Sequence, residues 1–88
     1  MTIPITPLSP LEQAVFAALV YVCNCSLSAH VPSEYIAKRL QPNLRGEVKK
    51  TLRKLRAKGY CIEHPTSGNT TWQLTQNGLI LARTFYKF

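Results

Sequence analysis

The side chains best suited to chemistry in this sequence are three cysteines and two histidines. Cys23-x-Cys25 and Cys61-x-x-His64 together offer four potential zinc ligands, with His30 as a fifth. The spacing is unfavourable, because 35 residues separate the two pairs and residues 61 and 64 of a strand would point to opposite faces. We therefore expect the cysteines to pack as small apolar side chains and His30 to be an exposed or capping residue. A metal- or thiol-responsive role is the alternative.

Catalytic residue sets are almost absent. The chain has no Asp, four Glu and two His, so neither paired-carboxylate chemistry nor a Ser/His/Asp triad has the necessary side chains. The sequence also lacks a glycine-rich phosphate-binding loop. We expect a protein that is not an enzyme, with no cofactor and no small-molecule substrate.

Length and charge indicate one small basic domain. The 88 residues include eleven Lys and Arg, giving a net charge of +7 and a pI of about 9.7. This charge points to a polyanionic partner. The longest apolar stretch, residues 14–23, is too short for a membrane span and lacks the basic flank of a signal peptide. Three cysteines without a secretory context favour the reducing cytoplasm.

The N-terminal half contains an arm and two helices. Residues 1–8 hold two prolines and no periodic pattern, so they predict an extended arm. Ser9, Pro10 and Glu12 form a helix start with a capping box, and a helix is expected over residues 10–23. A small-residue connection over 24–31 leads to a shorter second helix. Its expected N-cap is Ser33, and its expected inward-facing residues are Ile36, Ala37 and Leu40.

A third helix is predicted over residues 44–58, and it carries most of the charge. Seven of the eleven basic residues lie between positions 45 and 58, against the single acidic residue Glu47. Such an excess is unusual for an ordinary solvated helix, which mixes charge signs. The apolar stripe is formed by Leu44, Val48, Leu52 and Leu55. The basic residues on the opposite face and its flanks are Arg45, Lys49, Lys50, Arg53, Lys54 and Arg56.

After the third helix the hydrophobic period changes. Residues 60–75 predict two short strands around a Pro/Ser/Gly/Asn loop, hence a β-hairpin. Thr75 is the expected cap of a last helix over residues 76–86, whose inner face would carry Leu79, Ala82 and Tyr86. Gly78 should weaken that helix by about 1 kcal/mol relative to alanine.

The order of these elements resembles that of a known family. The segments SEYIAKRL (33–40), LRKLRAKGY (52–60) and WQLTQNG (72–78) are similar to those of winged helix-turn-helix domains in small bacterial, archaeal and phage regulators. The resemblance covers residues 9–86. It implies an α+β, mostly α, winged-helix domain over 9–88 with a three-helix core, a two-stranded wing and a C-terminal helix.

The resemblance also implies a function, namely sequence-specific binding of duplex DNA by a small transcriptional regulator. Helix 44–58 would enter the major groove and the hairpin would be the wing. The implied DNA-binding residues are Arg45, Lys49, Lys50, Arg53, Lys54 and Arg56 on the helix and Ser67, Asn69 and Thr70 on the wing. The alternative is a winged-helix module for protein–protein contact, since this fold serves both purposes.

Two further expectations concern aromatic residues. Five aromatic residues fall at or beside the predicted apolar faces, which argues against single-strand binding and for duplex DNA: Tyr21, Tyr35, Trp72, Phe85 and Tyr86. Phe85, Tyr86 and Phe88 crowd the C-terminus, so we expect a homodimer formed by the first and last helices and the arm.

Overall fold

The chain folds as an α+β unit, mostly helical, with one small antiparallel sheet. The computed structural model describes residues 8–65 and 70–85. In chain order the elements are α1 (Pro10–Cys23), β1 (Val31–Pro32), α2 (Ser33–Ala37), a 3₁₀ helix (Pro42–Glu47), α3 (Val48–Ala57), β2 (Cys61–Pro65), β3 (Thr70–Leu74) and α4 (Gln76–Phe85). The predicted arm lies outside the described residues except for Leu8, which is buried in the core.

The start of α1 confirms the predicted capping box. The Ser9 hydroxyl accepts the Glu12 backbone N–H at 3.2 Å, and the Glu12 carboxylate accepts the Ser9 backbone N–H at 2.9 Å. Two of the unpaired donors at the helix N-terminus are satisfied in this way. Asn24 ends the helix in the left-handed conformation, with φ of 53°, which asparagine adopts more readily than most residues.

Glu12 has a second role that joins α1 to the end of α3. Lys58 Nζ donates to Glu12 Oε2 at 2.8 Å, and both side chains are largely shielded from solvent. The Lys58 hydrogen bond and the Ser9 backbone N–H lower the pKa of Glu12 below its ordinary value of 4.5, against the opposing effect of burial. The ion pair therefore ties the first helix to the basic one.

We predict that Glu12→Gln lowers the free energy of unfolding at pH 7 by about 1–3 kcal/mol, because a charge-assisted, half-buried contact is lost. The pKa of Glu12 is lower in the folded state, so its contribution is present above about pH 4.5 and disappears as the pH falls through the folded-state pKa. Urea denaturation of both proteins at several pH values measures the difference. Glu34→Gln, at an exposed position on α2, is the control and should cost less than about 1 kcal/mol. A difference between Glu12→Gln and the unmodified protein that persists below the folded-state pKa would contradict the assignment.

The sheet contains a strand that the sequence prediction missed. Residues 24–31 were expected to be a connection, but Val31 and Pro32 form β1 and pair with Trp72 and Thr71 of β3. The strand order is β1-β3-β2, so β1 is an edge strand, where proline is tolerated. A two-residue strand is too short to show an alternating pattern, and its partner lies some 40 residues away in the sequence.

The region from the second to the third helix also differs from its prediction. Ser33 is the first residue of α2 and is buried; the N-cap position is Pro32, which makes no side-chain cap. The predicted helix 44–58 is α-helical only from Val48, because residues 42–47 form a 3₁₀ helix. Pro42 fits the first turn of such a segment, and Gly46 disfavours an α-helix because glycine has a low helix propensity.

The core lies between the helices and the inner face of the sheet. Its largest fully buried side chains include Trp72 of β3 and Phe16 of α1, and the Phe16 ring packs against Tyr60 with centroids 5.9 Å apart. In α4 the buried residues are Gly78, Leu81 and Ala82, with Leu79 only partly covered.

The predicted inner face of α4 was correct for Ala82 and partly correct for Leu79, but it omitted the buried Leu81. Leu81 replaces Leu79 as the main apolar contact, because Gly78 and not a larger side chain faces the sheet. Tyr86 lies outside the described residues, as does the side chain of Phe85. Thr75 is confirmed as the cap: its hydroxyl accepts the Gly78 backbone N–H at 3.0 Å.

Candidate nucleic-acid interface

Helix α3 has one buried and one exposed face. Val48, Leu52 and Leu55 of the predicted stripe are 0–2% exposed, whereas Leu44, its first member, lies in the preceding 3₁₀ helix and is only partly buried. Thr51 shares this buried face, and its hydroxyl donates to the Glu47 carbonyl at 2.8 Å, so no polar group is left unsatisfied there. The helix is consequently held firmly, with its remaining side chains directed to solvent.

The exposed face of α3 carries four cations that we call the α3 basic face: Lys49, Lys50, Arg53 and Lys54. All four side chains are exposed, and none makes an ion pair or hydrogen bond with another residue in the described part of the chain. At 100° per residue they span an arc of about 140° around the helix. They form a positive surface that contains no acidic residue of α3, although the exposed Glu47 lies directly before the helix.

Arg45, the first predicted contact residue, is placed differently. It lies in the 3₁₀ helix, and its Nε donates to the carbonyls of Ala37 and Leu40 at 3.2 and 3.3 Å. Ala37 is the last residue of α2, and Leu40 lies in the turn that follows it. Arg45 therefore stabilises the turn between α2 and α3 and helps to position α3.

Arg56 is also engaged within the chain. Its guanidinium forms an ion pair with Glu63 of β2. The two strands following α3 are thereby linked to the flank of the basic helix, and the Arg56 charge is compensated. Arg56 thus differs from the four residues of the α3 basic face.

The structure describes only one of the three predicted wing residues. Ser67 and Asn69 lie outside the described residues. Thr70 is half-buried and begins β3 opposite Pro65. Thr71 beside it donates through its hydroxyl to the His64 carbonyl at 3.4 Å, which helps close the hairpin.

The two histidines contact one another. The rings of His30 and His64 lie with centroids 4.3 Å apart. His64 Nε2 is hydrogen-bonded to the Gln73 side-chain oxygen, and the Gln73 amide donates to the Leu27 carbonyl. This chain of contacts fastens the loop after α1 onto the outer face of the sheet.

The cysteines do not join these histidines. Cys23 and Cys61 are buried, and the Cys61 thiol donates to the Leu52 carbonyl at 3.5 Å. Burial raises the pKa of Cys61 to about 12 and also raises the pKa of Cys23. Within residues 8–65 and 70–85, no group of three or more His, Cys, Asp or Glu side chains is arranged to hold a metal ion.

We predict that one thiol per chain reacts rapidly with a chromogenic disulfide at pH 8, and that it belongs to Cys25, the only half-exposed cysteine. At that pH a thiol with a pKa of about 12 is ionised in about one molecule in ten thousand, and only the thiolate attacks. Unfolding in urea should release all three thiols. Fast reaction that survives Cys25→Ser would contradict the burial of Cys23 and Cys61.

Two tyrosines lie where the sequence prediction did not place them. Tyr21 of α1 is 65% exposed and Tyr35 of α2 is 54% exposed, so neither belongs to an apolar face. The guanidinium carbon of Arg39 lies 3.9 Å from the Tyr21 ring centroid, and Lys38 Nζ lies 5.5 Å from that of Tyr35. We call these four residues the tyrosine–cation patch. Trp72, by contrast, is buried as expected.

Among the helices that the structure describes, none has the length and apolar character needed to cross a membrane. No model of a known protein family matches this chain, and no curated protein is significantly similar to it. Functional inference therefore depends on the geometry of the described residues.

Proposed function

We propose that this chain is a winged helix-turn-helix domain that binds duplex DNA, with α3 as the helix that enters the major groove. The observation that carries the proposal is the α3 basic face, four exposed cations without partners in the described structure. A helix with its side chains is about 10–12 Å across, which fits the major groove of B-form DNA, about 12 Å wide. A-form RNA offers no comparable groove.

The surrounding contacts suit this role. Arg45 fixes the turn that precedes α3, and the Glu12–Lys58 ion pair fixes its C-terminal end. The Arg56–Glu63 pair links α3 to the hairpin that would act as the wing. Arg45 and the Glu12–Lys58 pair hold α3 at its two ends, which favours base contacts because these depend on side chains held in a defined position.

We propose further that the protein is a small transcriptional regulator without catalytic activity, acting as a homodimer. The dimer rests on Phe85, Tyr86 and Phe88, whose side chains lie outside the described residues, so it stays a prediction. A protein–protein module is less well supported, because the exposed face of such a module would be apolar or mixed in charge, whereas α3 presents only cations and Ala57 there.

Selection of bound sequences from a random duplex pool at about 0.1 M salt tests this function. Arg53→Gln should weaken retention and blur any enriched motif, because Arg53 lies near the centre of the exposed face. Arg83→Gln removes an exposed arginine from α4 and is the matched control, expected to leave the selection unchanged. Retention of no duplex by the unmodified protein would contradict the proposal.

A further inference from the structure

The tyrosine–cation patch lies on α1, α2 and the residues just after α2, and it includes no residue of the α3 basic face. Tyr21 lies near the end of α1, whereas Tyr35, Lys38 and Arg39 lie on and just after α2. Residues 35, 38 and 39 are three and four positions apart, so they share one side of this segment. Arg39 contacts Tyr21 and thereby joins the two helices into one continuous surface.

The rings of this patch are exposed to an extent that core packing does not explain. Single exposed apolar residues are common, but here two rings with 65% and 54% exposure each lie beside a cation. The Arg39 guanidinium carbon lies 3.9 Å from the Tyr21 ring centroid, and Tyr21 nevertheless remains 65% exposed.

The charge of the patch is positive and uncompensated. Lys38 and Arg39 make no ion pair within the described residues, although Glu34 is nearby on α2. The patch therefore offers flat aromatic surfaces together with two cations. A ligand that complements the patch would carry flat aromatic groups that stack on the tyrosine rings, with negative charges close to those groups.

We infer that the tyrosine–cation patch binds unpaired nucleotides of single-stranded nucleic acid. Bases would stack on Tyr21 and Tyr35, and the adjoining phosphates would contact Lys38 and Arg39. Duplex DNA fits less well, because its bases are already stacked on each other. An acidic peptide would engage the two cations but leave both rings unused. This inference does not depend on the proposed role of α3.

Fluorescence anisotropy with labelled oligothymidine of about 15 nucleotides tests the inference, since single-strand sites span about 4–16 nucleotides. The background is the protein with Lys49, Lys50, Arg53 and Lys54 all changed to Gln, which removes the competing basic face. Two variants are made in it: Tyr21→Leu with Tyr35→Leu, and Tyr21→Phe with Tyr35→Phe. Circular dichroism verifies that each folds, as the exposure of both positions leads us to expect.

The leucine pair should bind oligothymidine at least about tenfold more weakly, and the phenylalanine pair should bind within about twofold of the background, because phenylalanine keeps the stacking surface. A duplex of the same length should bind the background protein more weakly than the single strand. Oligouridine in parallel distinguishes DNA from RNA as the ligand. Equal affinities for the leucine and phenylalanine pairs, or no binding of either single strand, would overturn the inference. Because the background protein lacks the α3 basic face, the single-strand measurement tests the tyrosine–cation patch even if the unmodified protein binds no duplex DNA.

Discussion

Gly78→Ala is expected to lower the free energy of unfolding by about 3 kcal/mol or more, with a fall in Tm of roughly 12–24 °C. A Cβ on residue 78 would lie 2.1 Å from the Tyr60 carbonyl oxygen and 2.9 Å from a Leu74 methyl carbon. The carbonyl belongs to the backbone at the start of β2 and also accepts the Thr75 N–H at 3.3 Å. Relief of the contact must therefore move α4 away from the sheet. Thermal and urea denaturation measure the effect.

Helix propensity alone would make alanine at position 78 stabilising by about 1 kcal/mol. A measured loss of stability would therefore show that the contact with Tyr60 and Leu74 outweighs helix propensity. Gly46→Ala is the matched control: a Cβ there meets nothing within 4 Å and the residue is exposed. It should be neutral or slightly stabilising. Equal stability of Gly78→Ala and Gly46→Ala would show that α4 does not approach Tyr60 as closely as described.

Simultaneous replacement of Lys49, Lys50, Arg53 and Lys54 by Gln should weaken duplex DNA binding by about 4 × 10³-fold at ~0.1 M monovalent salt. Each phosphate contact contributes a counterion-release factor of about 8 at this salt concentration, and four contacts multiply. Folding should be little affected, because all four side chains are exposed and make no contacts of their own within the described residues. Anisotropy titration with a labelled duplex measures the loss.

A charge-neutral control separates local contact from net charge in that experiment. Arg56→Gln combined with Glu63→Gln removes an ion pair while the net charge stays the same. Exposed ion pairs contribute little to stability, so this protein should fold and keep its duplex affinity within about threefold. A loss in this control comparable to that of the fourfold variant would contradict the assignment of binding to the α3 basic face.

Features that depend on neighbouring residues in the sequence were predicted well. The capping box of Ser9 and Glu12 and the stripe of Val48, Leu52 and Leu55 follow from spacing within one helix, and both are confirmed. The hairpin strands and the Thr75 cap were recognised for the same reason. Caps, apolar stripes and hairpin strands can be predicted without knowledge of the tertiary structure, because they depend on the spacing of nearby residues.

Features that depend on distant parts of the chain could not be predicted from such patterns. The strand of Val31 and Pro32 exists only because β3 offers it a partner. The need for a glycine at position 78 arises from the Tyr60 carbonyl, 18 residues earlier in the chain. Likewise, Tyr21 was assigned to an apolar face, whereas it is exposed beside Arg39.

The candidate site also combines features set by neighbouring residues with features set by distant ones. The sequence indicated that α3 is basic, and the exposure of Lys49, Lys50, Arg53 and Lys54 confirms the orientation of that face. Spacing could not reveal which cations are already engaged, since the partners of Arg45 and Arg56 lie on other elements. Of the nine predicted contact positions, Arg45 and Arg56 have partners within the chain, four cations on α3 have none in the described structure, and Thr70 begins β3. Ser67 and Asn69 lie outside the described residues.

The salt dependence of duplex binding tests the central claim most directly. Four phosphate contacts predict that the logarithm of the association constant falls with the logarithm of the salt concentration at a slope of about −3.6. The fourfold glutamine variant should lose nearly all of that slope. A slope shallower than about −1 for the unmodified protein, or the same slope in both proteins, would contradict the account.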